Sequence, residues 1–226
     1  MTGGEFMKIN FLGDSITAGV WLASPDEKYT VLLCKKLGAT ENNYGISGTR
    51  VARQKKPSED ESFNRDFLSR LDDLDKTADF TFVFGGTNDY GHGDAPLGNA
   101  GDKTPYSFYG AMNIMTEYLI GTFGKDRLCY ILPLPRFDEE NRRGEHSRKV
   151  EAANTLEEYR EAIRNVAGEN GVDVLDLTDL FPVPKAQKAD EFTVDGLHPN
   201  AKGHEMIAER LYGYLTKKAR KISKSI

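Results

Sequence analysis

Four short segments carry residue types that work together in nucleophilic acyl transfer. The first is Gly13-Asp14-Ser15-Ile16-Thr17, directly after a strand-like run. A serine at a strand-to-helix turn presents its hydroxyl beside backbone N–H groups that have no partner within the helix. It also serves as a plain helix cap. The second is Asn43-Tyr44-Gly45-Ile46-Ser47-Gly48-Thr49. Its glycines let the backbone turn with positive φ and approach a ligand, or simply make a turn. The third, Gly85-Gly86-Thr87-Asn88-Asp89, offers a neutral amide donor suited to a developing negative charge. Asparagine is also a common turn residue. The fourth is Asp195-Gly196-Leu197-His198-Pro199. A carboxylate one turn from an imidazole fixes its tautomer and stabilises the cation formed when it takes a proton. The plain alternative is a capping Asp beside an exposed His. Singly, each segment has an ordinary structural explanation. Jointly they supply a nucleophile, an oriented base and oxyanion donors.

The elements that must position these segments follow from the apolar pattern. Met7 to Leu12, Asn42 to Tyr44, Phe80 to Phe84, Leu128 to Leu132 and Val172 to Leu177 read as strands, bounded by glycine or proline. Lys28 to Leu37, Phe63 to Leu74 and Tyr106 to Phe123 read as helices, the first ended by Gly38. Leu156, Tyr159, Ile163 and Val166 recur at helical spacing, with Gly168 or Gly171 able to stop that helix. Ile207, Leu211 and Tyr214 form the buried stripe of a last helix. Alternating strands and helices predict a parallel sheet covered on both faces, and a run such as Phe80 to Phe84 suits a strand buried on both sides. Ligands of such sheets bind beyond the carboxyl ends of the strands, where the functional segments fall.

With those residues in place, the sequence resembles the SGNH (GDSL-type) hydrolase family. Four signature blocks occur in order: Gly13-Asp14-Ser15, Gly48 within Ile46-Ser47-Gly48-Thr49, Gly86-Thr87-Asn88-Asp89, and Asp195 to His198 before Pro199. Ile16 stands where the family name has Leu. The resemblance implies a flavodoxin-like three-layer α/β/α sandwich on a five-stranded parallel sheet. It also implies Ser15 as nucleophile, His198 as general base and then acid, and Asp195 as the group orienting His198. The oxyanion hole would be the Ser15 and Gly48 backbone N–H groups with the Asn88 side chain. The G-x-S-x-G elbow of ordinary α/β-hydrolases is absent, and acid and histidine lie close together in the chain.

Composition agrees with a soluble enzyme. With 38% hydrophobic and 29% charged residues the chain is an ordinary globular mix, and no apolar run is long enough to span a membrane. At this length about 70% of the surface is buried on folding, enough for a core without disulfides or metal. The formal charge of −5 disfavours nucleic acid as a partner. Lys217, Lys218, Arg220, Lys221 and Lys224 instead complement a helix C-terminus. Cys34 and Cys129 read as buried free thiols, which suit a reducing compartment. No signal-peptide pattern opens the chain, so a cytoplasmic location is expected. Met1 to Phe6 reads as a cloning remnant, with Met7 as the natural start of a single domain over 7–226. No metal or cofactor is implied. Gly98 to Thr104 fails P-loop spacing because Asp102 separates the glycine from Lys103. Gly91-His92-Gly93 lacks the third glycine of a dinucleotide loop, and His204-Glu205 lacks a second zinc histidine. His146 falls in the charged run Asp138 to Lys149, read as a solvated loop.

Two stretches bear on substrate choice. Tyr90 to Pro105 reads as a long polar loop after the Asn88 block, placing Tyr90 and His92 at the pocket. Trp21 follows Ser15 closely enough to wall the acyl or alcohol side. No apolar lid helix is evident. The expected substrate is a small ester with a short acyl group, such as acetyl, on a polar alcohol such as a sugar. Lysophospholipase and thioesterase activity within the same family, and a flavodoxin-like binding module without turnover, are the alternatives.

Overall fold

The computed structural model describes residues 7–142 and 154–223. The expectations for residues 1–6 and for His146 therefore lie outside the described residues. Five strands form one parallel sheet: β1 (Lys8–Gly13), β2 (Thr40–Gly45), β3 (Phe80–Phe84), β4 (Leu128–Ile131) and β5 (Asp173–Leu175), in spatial order β2-β1-β3-β4-β5. The helices are α1 (Ser15–Ala18), α2 (Tyr29–Leu37), α3 (Thr87–His92), α4 (Phe108–Phe123), α5 (Leu156–Asn170) and α6 (Ala201–Ser223). Helices α2 and α6 pack together on one face, α4 and α5 on the other.

Strand alternation divides the core between the two faces. Ile9, Phe11, Phe80, Phe82, Phe84, Cys129 and Ile131 join the layer under α2 and α6. Leu12, Val83, Leu128 and Tyr130 join the layer under α4 and α5. Successive side chains of a strand point to opposite faces, so both faces of β3 are dry. Phe11 stacks on Phe82 at 5.8 Å between neighbouring strands. Gly38, at φ +63°, ends α2 through its N–H to the Cys34 carbonyl. Thr155 and Glu158 form a capping box that opens α5, and Gly171 closes it.

Two expectations are corrected. Phe63 to Leu74 is not one helix but two short 3₁₀ turns, Glu61–Asn64 and Leu68–Asp73. Arg65 leaves helical geometry at φ −78°, ψ +70°. The Asp66 carboxylate, just before the second turn, accepts the Ser69 N–H, while its other oxygen accepts Arg53 Nε. Tyr90 to Pro105 is not all loop either, because Tyr90, Gly91 and His92 belong to α3. Both cysteines are free and buried, and burial pushes each thiol up to about 12. No helix among the described residues is long and apolar enough to cross a membrane.

Candidate active site

The sheet order reverses between β1 and β3, which opens a crevice at their carboxyl ends. Ser15 follows β1 there, as the first residue of α1, and is almost fully buried. Asp14 caps α1, its Oδ1 accepting the Ile16 N–H at 3.0 Å. Gly13 is required by close packing: a Cβ there would sit 2.0 Å from Thr17 Oγ1. Gly45, at the end of β2, meets the α1 backbone in the same way, its Cβ position lying 2.3 Å from Ala18 N. Without side chains at these two positions, the serine turn can lie flat against the strand ends.

His198 reaches Ser15 from the far end of the chain. Its Nε2 lies 2.9 Å from Ser15 Oγ, and its Nδ1 lies 2.7 Å from Asp195 Oδ2. A carboxylate accepts the Nδ1 proton, so the Nε2 lone pair faces the serine hydroxyl. Asp195 Oδ1 accepts the backbone N–H groups of Leu197 and His198 at 3.0 and 2.7 Å. Burial raises the Asp195 pKa, but the bonds from the His198 ring and these N–H groups outweigh it, and the carboxyl ends below its ordinary value.

Across the crevice, Gly48 sits at φ +71° in the turn after β2. Asn88 lies in the first turn of α3, and its Nδ2 donates to the Thr49 carbonyl at 3.0 Å. The glycine turn and the asparagine are thus tied together. Phe63 covers the turn, its ring atoms 2.5 Å from where a Gly48 Cβ would be, so any side chain there would displace it. His92, one helical turn beyond Asn88, places Nε2 2.9 Å from Asn88 Oδ1. Trp21 is 69% exposed and lies next to Val20, whose N–H bonds to the Ser15 carbonyl. It adopts φ +71°, the only non-glycine positive φ among the described residues. Tyr90 does not line the pocket. Its ring is buried in the core against Tyr159, and its hydroxyl donates to the Asp138 and Asn141 carbonyls, because helical α3 turns it away from the crevice.

Four contributors escaped the sequence reading. Asp89 accepts the Val51 and Ala52 N–H groups at 2.9 and 2.8 Å, holding the chain after the glycine turn. Arg50 is buried and donates to the Gly48 carbonyl at 3.1 Å. Arg70, also buried, donates to the Gly13 and Tyr44 carbonyls and to Thr49 Oγ1, and burial lowers its pKa to about 10. Asp14 is pushed up to about 6 by burial, against the opposing pull of the Ile16 N–H, His198 and Arg70. Asp14 and Asp89 stand inside the quoted blocks, where their types alone signal polarity. Nothing local marks Arg50 or Arg70, because most of their partners, such as His92 for Arg50 and the Gly13 and Tyr44 carbonyls for Arg70, lie far along the chain and are brought close only by the fold. Among the described residues, no three His, Cys, Asp or Glu side chains gather as a metal site.

The profile of the GDSL-like Lipase/Acylhydrolase family matches residues 11–206. A solved protein from Lactobacillus plantarum is 29% identical with a TM-score of 0.77, the match covering 95% of this chain and 98% of that one. A lipase/acylhydrolase from Enterococcus faecalis is 22% identical, TM-score 0.63, covering 95% and 97%. Est24, a carbohydrate acetylesterase from Sinorhizobium meliloti, is 14% identical, TM-score 0.64, covering 93% and 99%. At those last two identities the likeness is one of fold. No curated protein matches the chain. With a family match over most of its length and the family's blocks gathered at one crevice, the chain belongs to the GDSL-like lipase/acylhydrolase family and is an ester hydrolase.

Proposed function

We propose that the protein is a serine esterase that works through a covalent acyl-enzyme and acts on a short acyl group carried by a polar alcohol. The observation that carries the mechanism is the unbroken line Ser15 Oγ, His198 Nε2, His198 Nδ1 and Asp195 Oδ2, with contacts of 2.9 and 2.7 Å. Ser15 Oγ attacks the ester carbonyl carbon as His198 Nε2 takes its proton, and Asp195 stabilises the imidazolium. The carbonyl electron pair moves onto oxygen, where the Ser15 and Gly48 N–H groups and the Asn88 amide receive it. Collapse breaks the bond to the alcohol oxygen, which leaves with the proton from His198. Water activated by His198 then releases the acid and restores the serine.

Substrate choice rests on the walls. A cavity of about 260 Å³ beside the Gly48 turn is lined by Arg50, Arg53, Gln54, Phe63 and Asn64 among others. Arg50, Arg53, Gln54 and Asn64 bring polar side chains to this small space, and buried polar groups left unpaired under a long chain cost about 1–3 kcal/mol each, which favours a short acyl group. The exposed Trp21 ring offers a face for a sugar. The shared fold of a carbohydrate acetylesterase agrees with this reading without establishing it.

The test is p-nitrophenyl acetate turnover with and without a fluorophosphonate. A stoichiometric adduct on Ser15, with activity lost in step and a loss of roughly 10⁴-fold or more in Ser15→Ala, is the expected result. Turnover within tenfold of wild type in Ser15→Ala would overturn the mechanism. A panel of acyl lengths, acetylated sugars, lysophospholipids and thioesters tests the substrate class. Best activity on long-chain lysophospholipids or on thioesters would replace the acetylester reading.

A further inference from the structure

We infer that His92 is a positioning residue which, held by Arg50, fixes the Asn88 amide so that one N–H remains directed at the acyl oxygen of a substrate on Ser15. This rests on the acyl-transfer reading above and assigns it a component outside the four blocks. Three contacts form a line. Arg50 Nη1 lies 3.4 Å from His92 Nδ1, His92 Nε2 lies 2.9 Å from Asn88 Oδ1, and Asn88 Nδ2 lies 3.0 Å from the Thr49 carbonyl oxygen.

The direction of donation is set at both ends. A carbonyl can only accept, so the Asn88 end facing Thr49 is its NH₂ group. Asn88 Oδ1 therefore faces His92, and an amide oxygen only accepts, so His92 Nε2 carries the proton. A guanidinium only donates, so Arg50 presents an N–H to His92 Nδ1, which is the lone-pair nitrogen of the neutral ring. Reversing the Asn88 amide would set its oxygen against the Thr49 oxygen and break the line. Thr49 uses one of the two Asn88 amide hydrogens, leaving the other for the oxyanion. Arg50 also donates to the Gly48 carbonyl and to Ser58 Oγ, so one buried cation supports both the glycine turn and the ring that orients the asparagine. The Phe63 ring, 6.1 Å from the His92 ring, backs the imidazole and covers Gly48.

Without the imidazole donor the Asn88 amide keeps only its Thr49 bond and loses the contact that fixes its oxygen. The loss falls on an interaction made mainly in the transition state, so it belongs in kcat. On p-nitrophenyl acetate, His92→Phe should lower kcat about 10- to 100-fold, a part of what removing an oxyanion donor costs, with KM within about twofold. His92→Gln, which can place an amide N–H at the same distance along the side chain, should recover most of that loss. In the Asn88→Ala background, His92→Phe should cost no more than about twofold further, because a residue acting through Asn88 has nothing left to position. Losses that multiply in the double variant, a loss confined to KM, or failure of Gln to rescue would each overturn the role of His92 while leaving the triad standing. If Asn88→Ala itself leaves kcat unchanged, the oxyanion role of Asn88 falls, and this inference with it. One measurement on the unaltered protein is independent of variant folding: the imidazole ¹⁵N spectrum should show His92 as the neutral Nε2–H tautomer, and an Nδ1–H signal would overturn the donor order.

Discussion

The two walls of the crevice are held in different ways. The proposed oxyanion wall, from Gly48 to Ala52, is anchored from distant elements, by Asn88 and Asp89 from α3 and Arg70 from a 3₁₀ turn, and from within by its own buried Arg50. The proposed acid–base wall, Asp195 to His198, is largely self-bonded. Asp195 accepts from its own turn, Gly196 N–H donates to Thr193 Oγ1, and Val194 N–H donates to the His198 carbonyl. Among the described residues, its backbone link to another segment is the bond from Phe137 N–H to the Gly196 carbonyl. Exposure differs too: Arg50 is 1% exposed, whereas the Asp195 and His198 side chains are 34% and 16% exposed. A hole that stabilises charge must not reorganise as the charge appears, so rigid burial serves it. A base must accept and return a proton and let water in for deacylation, so a turn near the surface serves that.

Four substitutions test this contrast. The largest effect is expected for Asp195→Asn, which permits the wrong imidazole tautomer and should lower kcat by about 10⁴-fold. Because the turn is self-bonded and half-exposed, its Tm should hold nearly constant. A melting loss as large as that of a buried brace would erase the distinction. Next, Asn88→Ala should cost about 10²–10³ in kcat with KM little changed. A change in KM alone would make Asn88 a substrate-binding residue. Third, Arg70→Leu strands the Gly13 and Tyr44 carbonyls inside the protein and should destabilise it by about 2–4 kcal/mol, read as a denaturation midpoint. Unchanged stability would mean that the oxyanion wall does not depend on its remote brace.

The smallest effect is a pH dependence of stability set by Asp14. Its pKa is raised from 3.8 to about 6 by burial. Between those values the folded protein keeps a proton that the unfolded chain has released, so the stabilising proton is lost as pH rises through that window. Asp14→Asn keeps the acceptor for the Ile16 N–H but cannot ionise. Relative to wild type, the variant should gain on the order of 1–3 kcal/mol in urea titrations between pH 4 and pH 7. A constant difference would show that Asp14 does not titrate there. Asp195 has the opposite sign: its pKa is lowered, so its contribution is present above the ordinary carboxylate value and lost as pH falls.

The apolar strands were legible because burial on both faces demands unbroken runs such as Phe80 to Phe84. β2 was only partly legible. Its residues, Thr40 to Gly45, are polar and lie on an edge, where Asn42 donates to Asn10 and Asn43 bonds to the Thr17 carbonyl. Phe63 to Leu74 misled because its apolar spacing was helical, while Asp66 could compete for backbone N–H groups and did. Tyr90 misled for the converse reason: glycines on either side suggested loop, yet α3 is a helix and turns the ring inward. That helix also puts His92 over Asn88, a four-residue relation invisible while the segment was read as coil. Of the candidate triad, residue types and block order were readable, but the distances were not. They depend on two ends of the chain meeting.

That meeting has a consequence for biosynthesis. Ser15 and His198 are separated by 183 positions, and His198 lies just before α6, with Pro199 and Asn200 between, and α6 packs on α2. On the proposed mechanism, a nascent chain with β1, β3 and the glycine turn in place would hold the nucleophile and the oxyanion donors, but no base. Reactivity would then require the docking of α6, where His204 accepts the Tyr29 N–H at 3.1 Å. Hydrolysis of a chromogenic ester by ribosome-released fragments of increasing length would then track not the gradual growth of structure but its final closure.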